Sequence, residues 1–245
     1  MPSPKLYKTI FQARYKAELK FYELLIPAAK QMTEFPDWET NRLSVTLKNF
    51  DRRCNLSISH NSFSYDQDSN DIEIETNYIN KALEILPSAL EIESFIRLGF
   101  RRRYLIPVEI PFDSLIQMLN IKLLSQEKKL REVMPANVKD LMYRIDSEEE
   151  GFKYHFLIGP VSKQEIPKYV EFNRQHNLNP ANREEKYRKI VQEYPDVAIF
   201  IDIDLFQEKG ELQAKKAANF VNNARSKVDN LTRELCNYLL EEKVE

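Results

Sequence analysis

Residues 196–206 read DVAIFIDIDLF, and this stretch decides the fold. Its branched and aromatic residues predict a β-strand, in which successive side chains point to opposite faces of a sheet. Asp202 and Asp204 therefore share one face. We expect the other face to lie in the hydrophobic core, and it carries Val197, Ile199, Ile201, Ile203 and Leu205.

A second predicted strand, 95–106, carries arginine in the same alternating pattern. Arg97, Arg101 and Arg103 share one face with Gly99, and the opposite face points into a core. If this strand neighbours residues 196–206, cross-strand ion pairs with the two aspartates follow, and they mainly specify register. The alternative is a row of guanidinium groups that holds phosphate or carboxylate. The residues expected on the core face are Ile96, Leu98 and Phe100.

Outside these strands, helices and strands are mixed without a regular βαβ rhythm. We therefore predict an α+β fold with a mixed, largely antiparallel sheet, flanking helices and a long C-terminal helix. Further strands are predicted at 6–16, 42–49, 54–60, 62–65, 139–145 and 152–158, with 42–65 as an antiparallel meander. Helices are predicted at 19–32, 79–90, 112–132, 183–193 and 211–242, and a loop around 173–180.

Two prolines, Pro107 and Pro111, predict the boundary between two lobes. The N-terminal lobe then comprises residues 1–106 and the C-terminal lobe residues 107–245. A chain of 245 residues also fits one continuous domain.

Composition excludes several classes of protein. The chain has 36 basic and 38 acidic residues, and this balance is unlike that of a protein that coats DNA. Its four glycines are too far apart for a phosphate-binding loop. Three histidines and two cysteines do not cluster as zinc ligands do. We therefore predict no cofactor.

The compartment is inferred from the N-terminus and the cysteines. The first residues, MPSPKLYK, lack the apolar core of a secretory signal, and no apolar stretch is long enough to span a bilayer. Two widely separated cysteines fit reduced thiols. The sequence therefore predicts a cytoplasmic protein with no membrane contact.

Asp202 and Asp204 also fit a metal site, because two carboxylates on one strand face can bind magnesium or manganese. A metal-dependent enzyme on phosphate-containing substrates would then use Arg97 and Arg101 as anion clamps. No third ligand is evident in the sequence. The acidic run 66–71 does not fit a calcium loop, because Asp71 stands where glycine is required. We interpret this run as a solvated turn that favours the next helix.

The run Arg101, Arg102, Arg103 and Tyr104 is a candidate nucleic-acid patch, since it combines cations with a ring that can stack on a base. The same residues are candidates for binding an anion or a protein partner. Three arginines in a charge-balanced chain support this hypothesis only weakly.

The thiols and the closing helix have ordinary structural interpretations. Cys54 and Cys236 are expected to be buried, which is the common state of a free thiol. The apolar stripe of the closing helix is expected to dock on the sheet, and an excess of apolar surface would favour contact with a second copy. The stripe comprises Phe220, Ala224, Val228, Leu231 and Leu235.

Two stretches carry a resemblance to a known family. Residues 97–101 (RLGFR) and 201–206 (IDIDLF), with the helix 220–235, resemble the corresponding elements of a family of uncharacterised, sporadically distributed bacterial and archaeal proteins. That family continues after its second arginine with an aromatic, an aliphatic and an asparagine, where this chain has Arg102, Arg103 and Tyr104. The resemblance implies no reaction, but patchy distribution is typical of accessory genes such as those of antiviral defence.

These observations favour a non-enzymatic interaction protein of prokaryotic accessory or defence type. It would act by binding a protein partner or by self-assembly into a homo-oligomer. The alternatives are the metal-dependent enzyme with Asp202 and Asp204, and the nucleic-acid sensor with residues 101–104.

Overall fold

Eleven strands and six helices form within residues 3–17, 19–124, 138–170, 177–208 and 212–241, the part of the chain that this computed structural model describes. The strands are β1 (Lys5–Arg14), β2 (Asp37–Thr40), β3 (Ser44–Asn49), β4 (Cys54–Ser59), β5 (Ser62–Gln67), β6 (Ser94–Phe95), β7 (Arg97–Pro107), β8 (Tyr143–Glu149), β9 (Phe152–Ser162), β10 (Val197–Gln207) and β11 (Leu212–Gln213). The helices are α1 (Phe21–Ala29), α2 (Ile72–Ala89), α3 (Phe112–Leu124), α4 (Ile166–Val170), α5 (Arg183–Gln192) and α6 (Ala217–Leu240).

Nine of the strands form one sheet in the order β2-β3-β4-β5-β1-β7-β10-β9-β8. Each neighbouring pair in it is antiparallel. Strands β6 and β11 pair separately. The α+β fold with a large antiparallel sheet and a long C-terminal helix is therefore confirmed.

Strand β7 links the two halves of the sheet. It pairs with β1 on one side and with β10 on the other, where the register runs from Leu98 opposite Gln207 to Pro107 opposite Ala198. The sheet thus continues across the boundary predicted between residues 106 and 107. The division into two lobes stays a prediction.

One face of the sheet packs against helices and forms the main core. Phe11 of β1, Phe100 of β7 and Ile203 of β10 are fully buried there. Helix α6 lies over β7 and β10 because its apolar residues recur every three or four positions. Phe220 and Val228 of that stripe are buried as predicted.

The opposite face is covered only in part by the described residues. At one end, a second apolar cluster joins α4 to β10 and includes Ile166, Val170 and Phe200. The rest of this face carries polar side chains of β1, β7, β10 and β9, and we call it the open face. Successive side chains of β7 point to opposite faces of the sheet, so Phe100 faces the main core and Arg101 faces the other side.

A buried ion cluster lies inside the main core, centred on Glu75 of α2, and we call it the Glu75 cluster. Arg102 of β7 donates to Glu75 at 2.7 and 2.9 Å and also to Asp229 of α6. Arg225 of α6 donates to Glu75 at 3.1 Å, and the hydroxyl of Thr9 donates to it as well. Burial opposes the charge on Arg102, but the attraction of Glu75 outweighs it and raises the pKa of the guanidinium. Two cations thus balance two anions.

Several sequence expectations are wrong at the sheet margins. The sequence does not predict strand β2, because its DWET segment is polar and all four residues are exposed. Strand β8 runs over Tyr143–Glu149 rather than over the predicted 139–145, so Asp146, Glu148 and Glu149 belong to the strand. An edge strand exposed on both faces needs no apolar alternation, and the pattern therefore fails there. Ile96 is 58% exposed and does not point into the core.

The acidic run at the end of β5 also differs from its interpretation as a solvated turn. Asp66 and Asp68 are buried, because Lys8 lies 3.0 Å from both carboxylates. Asp71 does favour the next helix, since its side chain accepts from the backbone N–H of Ile74 and caps α2. The predicted helix over 112–132 is seen to Leu124. Its remainder and residues 173–176 of the predicted loop lie outside the described residues.

None of the helices in the described ranges has both the length and the apolar composition needed to cross a bilayer.

Glu75→Gln is expected to destabilise the fold by about 3–5 kcal/mol, because the buried Arg102 and the partly buried Arg225 lose the carboxylate that they share. Urea unfolding followed by circular dichroism measures this change. Glu84→Gln on the exposed side of the same helix is the matched control and should change the free energy of unfolding by less than about 0.5 kcal/mol. Equal midpoints for the two variants would contradict a structural role of the cluster.

Candidate functional site

Five charged residues on the open face form what we call the arginine–aspartate ladder. Arg97, Arg101 and Arg103 come from β7, and Asp202 and Asp204 from β10. The register sets Asp204 opposite Arg101 and Asp202 opposite Arg103. The prediction that the two strands are neighbours with cross-strand Arg–Asp pairs is confirmed.

Asp202 is the most enclosed member of the ladder, with a side chain only 4% exposed. It accepts from Arg101 Nε at 2.7 Å and from the Nη2 atom of the same guanidinium. Arg103 Nε donates to it at 3.1 Å. Both carboxylate oxygens are therefore engaged by two cations, a fork geometry that guanidinium groups favour.

Asp204 is held more loosely. Its nearest cation is Arg97, whose Nη2 lies 3.5 Å away. Burial raises the pKa of Asp204, and the attraction of Arg97 and Arg101 only partly offsets that effect. The two aspartates that look equivalent in the sequence thus have different environments.

Arg97 is fixed from several sides. Its guanidinium lies 4.4 Å from the centre of the Phe206 ring and donates to Gln12 at 3.0 Å. It also crosses over Gly99, where a Cβ atom would come within 3.0 Å of Arg97 Nη1. The glycine in this strand therefore allows the close approach of the arginine.

A second polar cluster lies beyond β7 on the same side of the sheet as the ladder, but it is buried, and no pattern in the sequence predicts it. Lys8, only 1% exposed, lies between Asp66 and Asp68. Asn177 donates to both carboxylates at 2.8 and 2.9 Å and accepts from Asn55 at 2.6 Å. Burial raises the pKa of Asp66 despite Lys8. A local pattern could not reveal this cluster, because its members are up to 169 residues apart in the chain.

His155 lies at the other end of the open face. Its Nδ1 atom is 2.5 Å from Asp146 of β8, and the ring packs on Phe206 at 4.9 Å. The hydrogen bond from His155 lowers the pKa of Asp146. The side chains of His155 and Asp146 are 42% and 53% exposed.

Residues 101–104 do not form one patch, so the geometry behind the nucleic-acid hypothesis is wrong. Arg102 and Tyr104 point into the main core and are 1% and 5% exposed. The Tyr104 hydroxyl donates to Asp229 at 2.8 Å, and its ring has no free face for a base. Arg101 and Arg103 point to the open face. Strand alternation separates the four residues into two pairs.

The carboxylates of the ladder do not assemble as metal ligands. Both oxygens of Asp202 already accept from arginine. Within the described ranges, no group of three or more His, Cys, Asp or Glu side chains has the geometry of a metal site. The structure therefore places Asp202 in ion pairs and not in a ligand set.

Cys54 and Cys236 form no disulfide, and both are buried as the sequence predicts. Burial raises the pKa of Cys54 to about 12 and also raises that of Cys236. A thiol in this state holds its proton at neutral pH and is a poor nucleophile.

A cavity of about 620 Å³ opens beside the start of β1. Its walls carry both signs of charge, from Lys5, Arg53, Asp68 and Glu193. None of the ladder residues lines it, so the cavity and the ladder are separate features.

A scan of this chain against models of protein families finds no match. A search of curated protein sequences finds no match either.

The two aspartates are expected to respond oppositely to removal of their charge. Asp202→Asn should cost about 3–5 kcal/mol, because two arginines lose a buried partner. Asp204→Asn should leave the free energy of unfolding at pH 7 unchanged or higher. The raised pKa of Asp204 means that its ionised form costs stability in the folded state, and asparagine removes that cost.

The pH dependence of unfolding tests whether the ionised Asp204 carboxylate lowers the stability of the fold. A carboxyl with a raised folded pKa stabilises the fold below its unfolded pKa, and this contribution is lost as pH rises through the folded pKa. Any advantage of Asp204→Asn should therefore shrink as pH falls towards 3.8, the ordinary value for aspartate. Urea unfolding at pH 7 and pH 4.5 measures it. An Asp204→Asn variant as unstable as Asp202→Asn would contradict the assignment.

Cys54 is expected to resist iodoacetamide at pH 8 in the native protein and to react in urea, because burial blocks access and suppresses the thiolate. Its pKa is 9.0 in an unfolded chain and about 12 in the fold. Stability from this group should thus be lost as pH rises from about 9 towards 12. Mass spectrometry of the alkylated protein reports each cysteine separately. Native labelling of Cys54 at the unfolded rate would contradict the assignment.

Proposed function

We propose that this chain is a cytoplasmic, non-enzymatic interaction protein of prokaryotic accessory or defence type that binds a protein partner through the open face. The observation that carries the proposal is the arginine–aspartate ladder. Its charged groups are exposed in part and already held in place by one another.

The first support for partner binding is that the charged side chains of the ladder are already held in place. The side chains of Arg101, Asp204 and Arg97 are 35%, 21% and 15% exposed, so all three can contact a docking surface. Arg97 is held by Gln12 and Phe206, and Arg101 by Asp202. Fixed side chains lose little rotamer freedom when a partner binds. A surface of alternating charge suits a protein partner with the complementary alternation, because each mismatch in register is penalised.

The second support comes from the aspartate and the two thiols that could otherwise act as a catalytic base or nucleophile. Asp202 accepts from two arginines, and the two thiols have raised pKa values. A catalytic base or nucleophile needs a pKa near the working pH and a free approach. The two buried thiols lack such a pKa, and Asp202 lacks a free approach because two arginines occupy its oxygens, so a binding role fits these residues better than catalysis.

The accessory or defence context comes from the resemblance of residues 97–101 and 201–206 to a sporadically distributed family. It concerns biological setting and adds no chemistry. The cytoplasmic assignment comes from the two cysteines, which form no disulfide.

The test is quantitative affinity capture from the source cells followed by binding measurements with the purified partner. Arg101→Gln removes a half-exposed charge of the ladder and should lower the affinity for the partner about tenfold or more, a typical loss for a central charged contact. Arg188→Gln, on the exposed surface of α5, is the matched control and should leave the affinity unchanged.

The same preparations examined by native mass spectrometry decide between the alternatives. A bound divalent ion or nucleotide that is lost in Asp202→Asn would overturn the proposal in favour of the enzyme. Capture of oligonucleotide with strong salt dependence would favour the sensor. Partners that bind wild type, Arg101→Gln and Arg188→Gln equally would show that the open face is not the binding surface.

A further inference from the structure

The two edges of the large sheet differ in length and charge pattern. Strand β8 is terminal in the sheet and pairs only with β9 among the described residues. Residues 144–147 of this strand are all exposed, and their outer edge therefore presents backbone N–H and C=O groups that can pair with another strand. Six of its seven residues are exposed, and Ile145 is 44% exposed.

Symmetry restricts how two copies of β8 can pair. Two antiparallel strands that continue one sheet are related by a two-fold axis perpendicular to it, and this axis keeps each side chain on its own face. Opposed residues must share a face, so the pairing has to be centred on a residue and not between two residues. Only a few registers are therefore available.

Charge selects one of these registers. Pairing centred on Arg144 sets two arginines against each other, and pairing centred on Asp146 sets two aspartates against each other. Pairing centred on Ser147 places Asp146 opposite Glu148. Only pairing centred on Ile145 places Arg144 opposite Asp146 twice, with no like charges directly opposed.

We propose that β8 is a homodimerisation edge, on which two copies of this chain pair antiparallel about Ile145. Arg144 of each copy then lies opposite Asp146 of the other, and the two Ile145 side chains meet on the helix-covered side. Within one chain the Arg144 and Asp146 side chains are already 3.5 Å apart on the open face. Asp146 also lies 2.5 Å from Nδ1 of His155, so the exchange replaces only its contact with Arg144.

The opposite edge does not offer this complementarity. Strand β2 has only four residues, and pairing about Trp38 would set Asp37 against Glu39. Self-pairing at one edge only gives a closed dimer and not a filament.

The dimer joins two nine-stranded sheets into one and leaves both open faces on the same side. Each dimer would therefore present two copies of the ladder to a partner. Dimerisation and partner binding are tested by variants at different places, on β8 and on the ladder. Either proposal can therefore fail without the other. The strand edge buries little area, so we expect a weak dimer whose population depends on concentration.

Charge exchange provides the test, measured by sedimentation velocity of the full chain over a range of concentrations. Arg144→Asp or Asp146→Arg alone places like charges opposite each other twice and should raise the dissociation constant of the dimer about tenfold or more. The double variant restores both pairs and should dimerise as the wild type does. An equimolar mixture of the two single variants should form a heterodimer, because the two aspartates on β8 of one chain then face the two arginines on β8 of the other.

The mixture also controls for folding, since chains that do not fold cannot form the heterodimer. Exchange of the exposed Arg188 and Glu184 pair on α5 is the matched control and should leave dimerisation unchanged. The proposal is wrong if the wild type stays monomeric, or if the single variants dimerise as strongly as the wild type. It is also wrong if the mixture behaves as its two components do.

Discussion

The buried contact between Arg102 and Glu75 is the constraint on which the rest of the structure depends. Arg102 lies on the core face of β7, between Phe100 and Tyr104, where an unpaired charge would be strongly destabilising. Helix α2 must therefore bring Glu75 to it, and α6 must bring Asp229. One arginine thus relates the sheet to two of its covering helices.

The same contact determines which charges reach the open face. A shift of β7 by one residue would carry Arg102 out of the core, away from Glu75 and Asp229, and would carry Arg101 and Arg103 into it, away from Asp202. With Arg102 inside, Arg101 and Arg103 meet Asp202 on the other side. Structural and candidate functional arginines are therefore neighbours in the chain, separated only by strand alternation.

The charged groups on this side of the sheet differ in the number and the distance of their oppositely charged partners. Asp202 is shared by two arginines, whereas Asp204 has a longer contact and a raised pKa. Lys8 serves two aspartates. At the sheet margin, Arg144 and Asp146 are exposed, and Asp146 is in contact with both Arg144 and His155. Buried pairs specify the fold, while exposed pairs remain available for recognition.

The sequence alone determined the α+β class, the two central strands, the faces on which Asp202 and Asp204 lie, and the burial of both thiols. Those features depend on alternation and apolar periodicity, which are local. Only the tertiary structure decided that Arg102 and Tyr104 belong to the core, that Asp66 and Asp68 are buried around Lys8, and that β2 and β8 are edges. These outcomes depend on partners that lie far apart in the chain. The sequence around a charged residue does not show whether water solvates it or a buried side chain of opposite charge pairs with it.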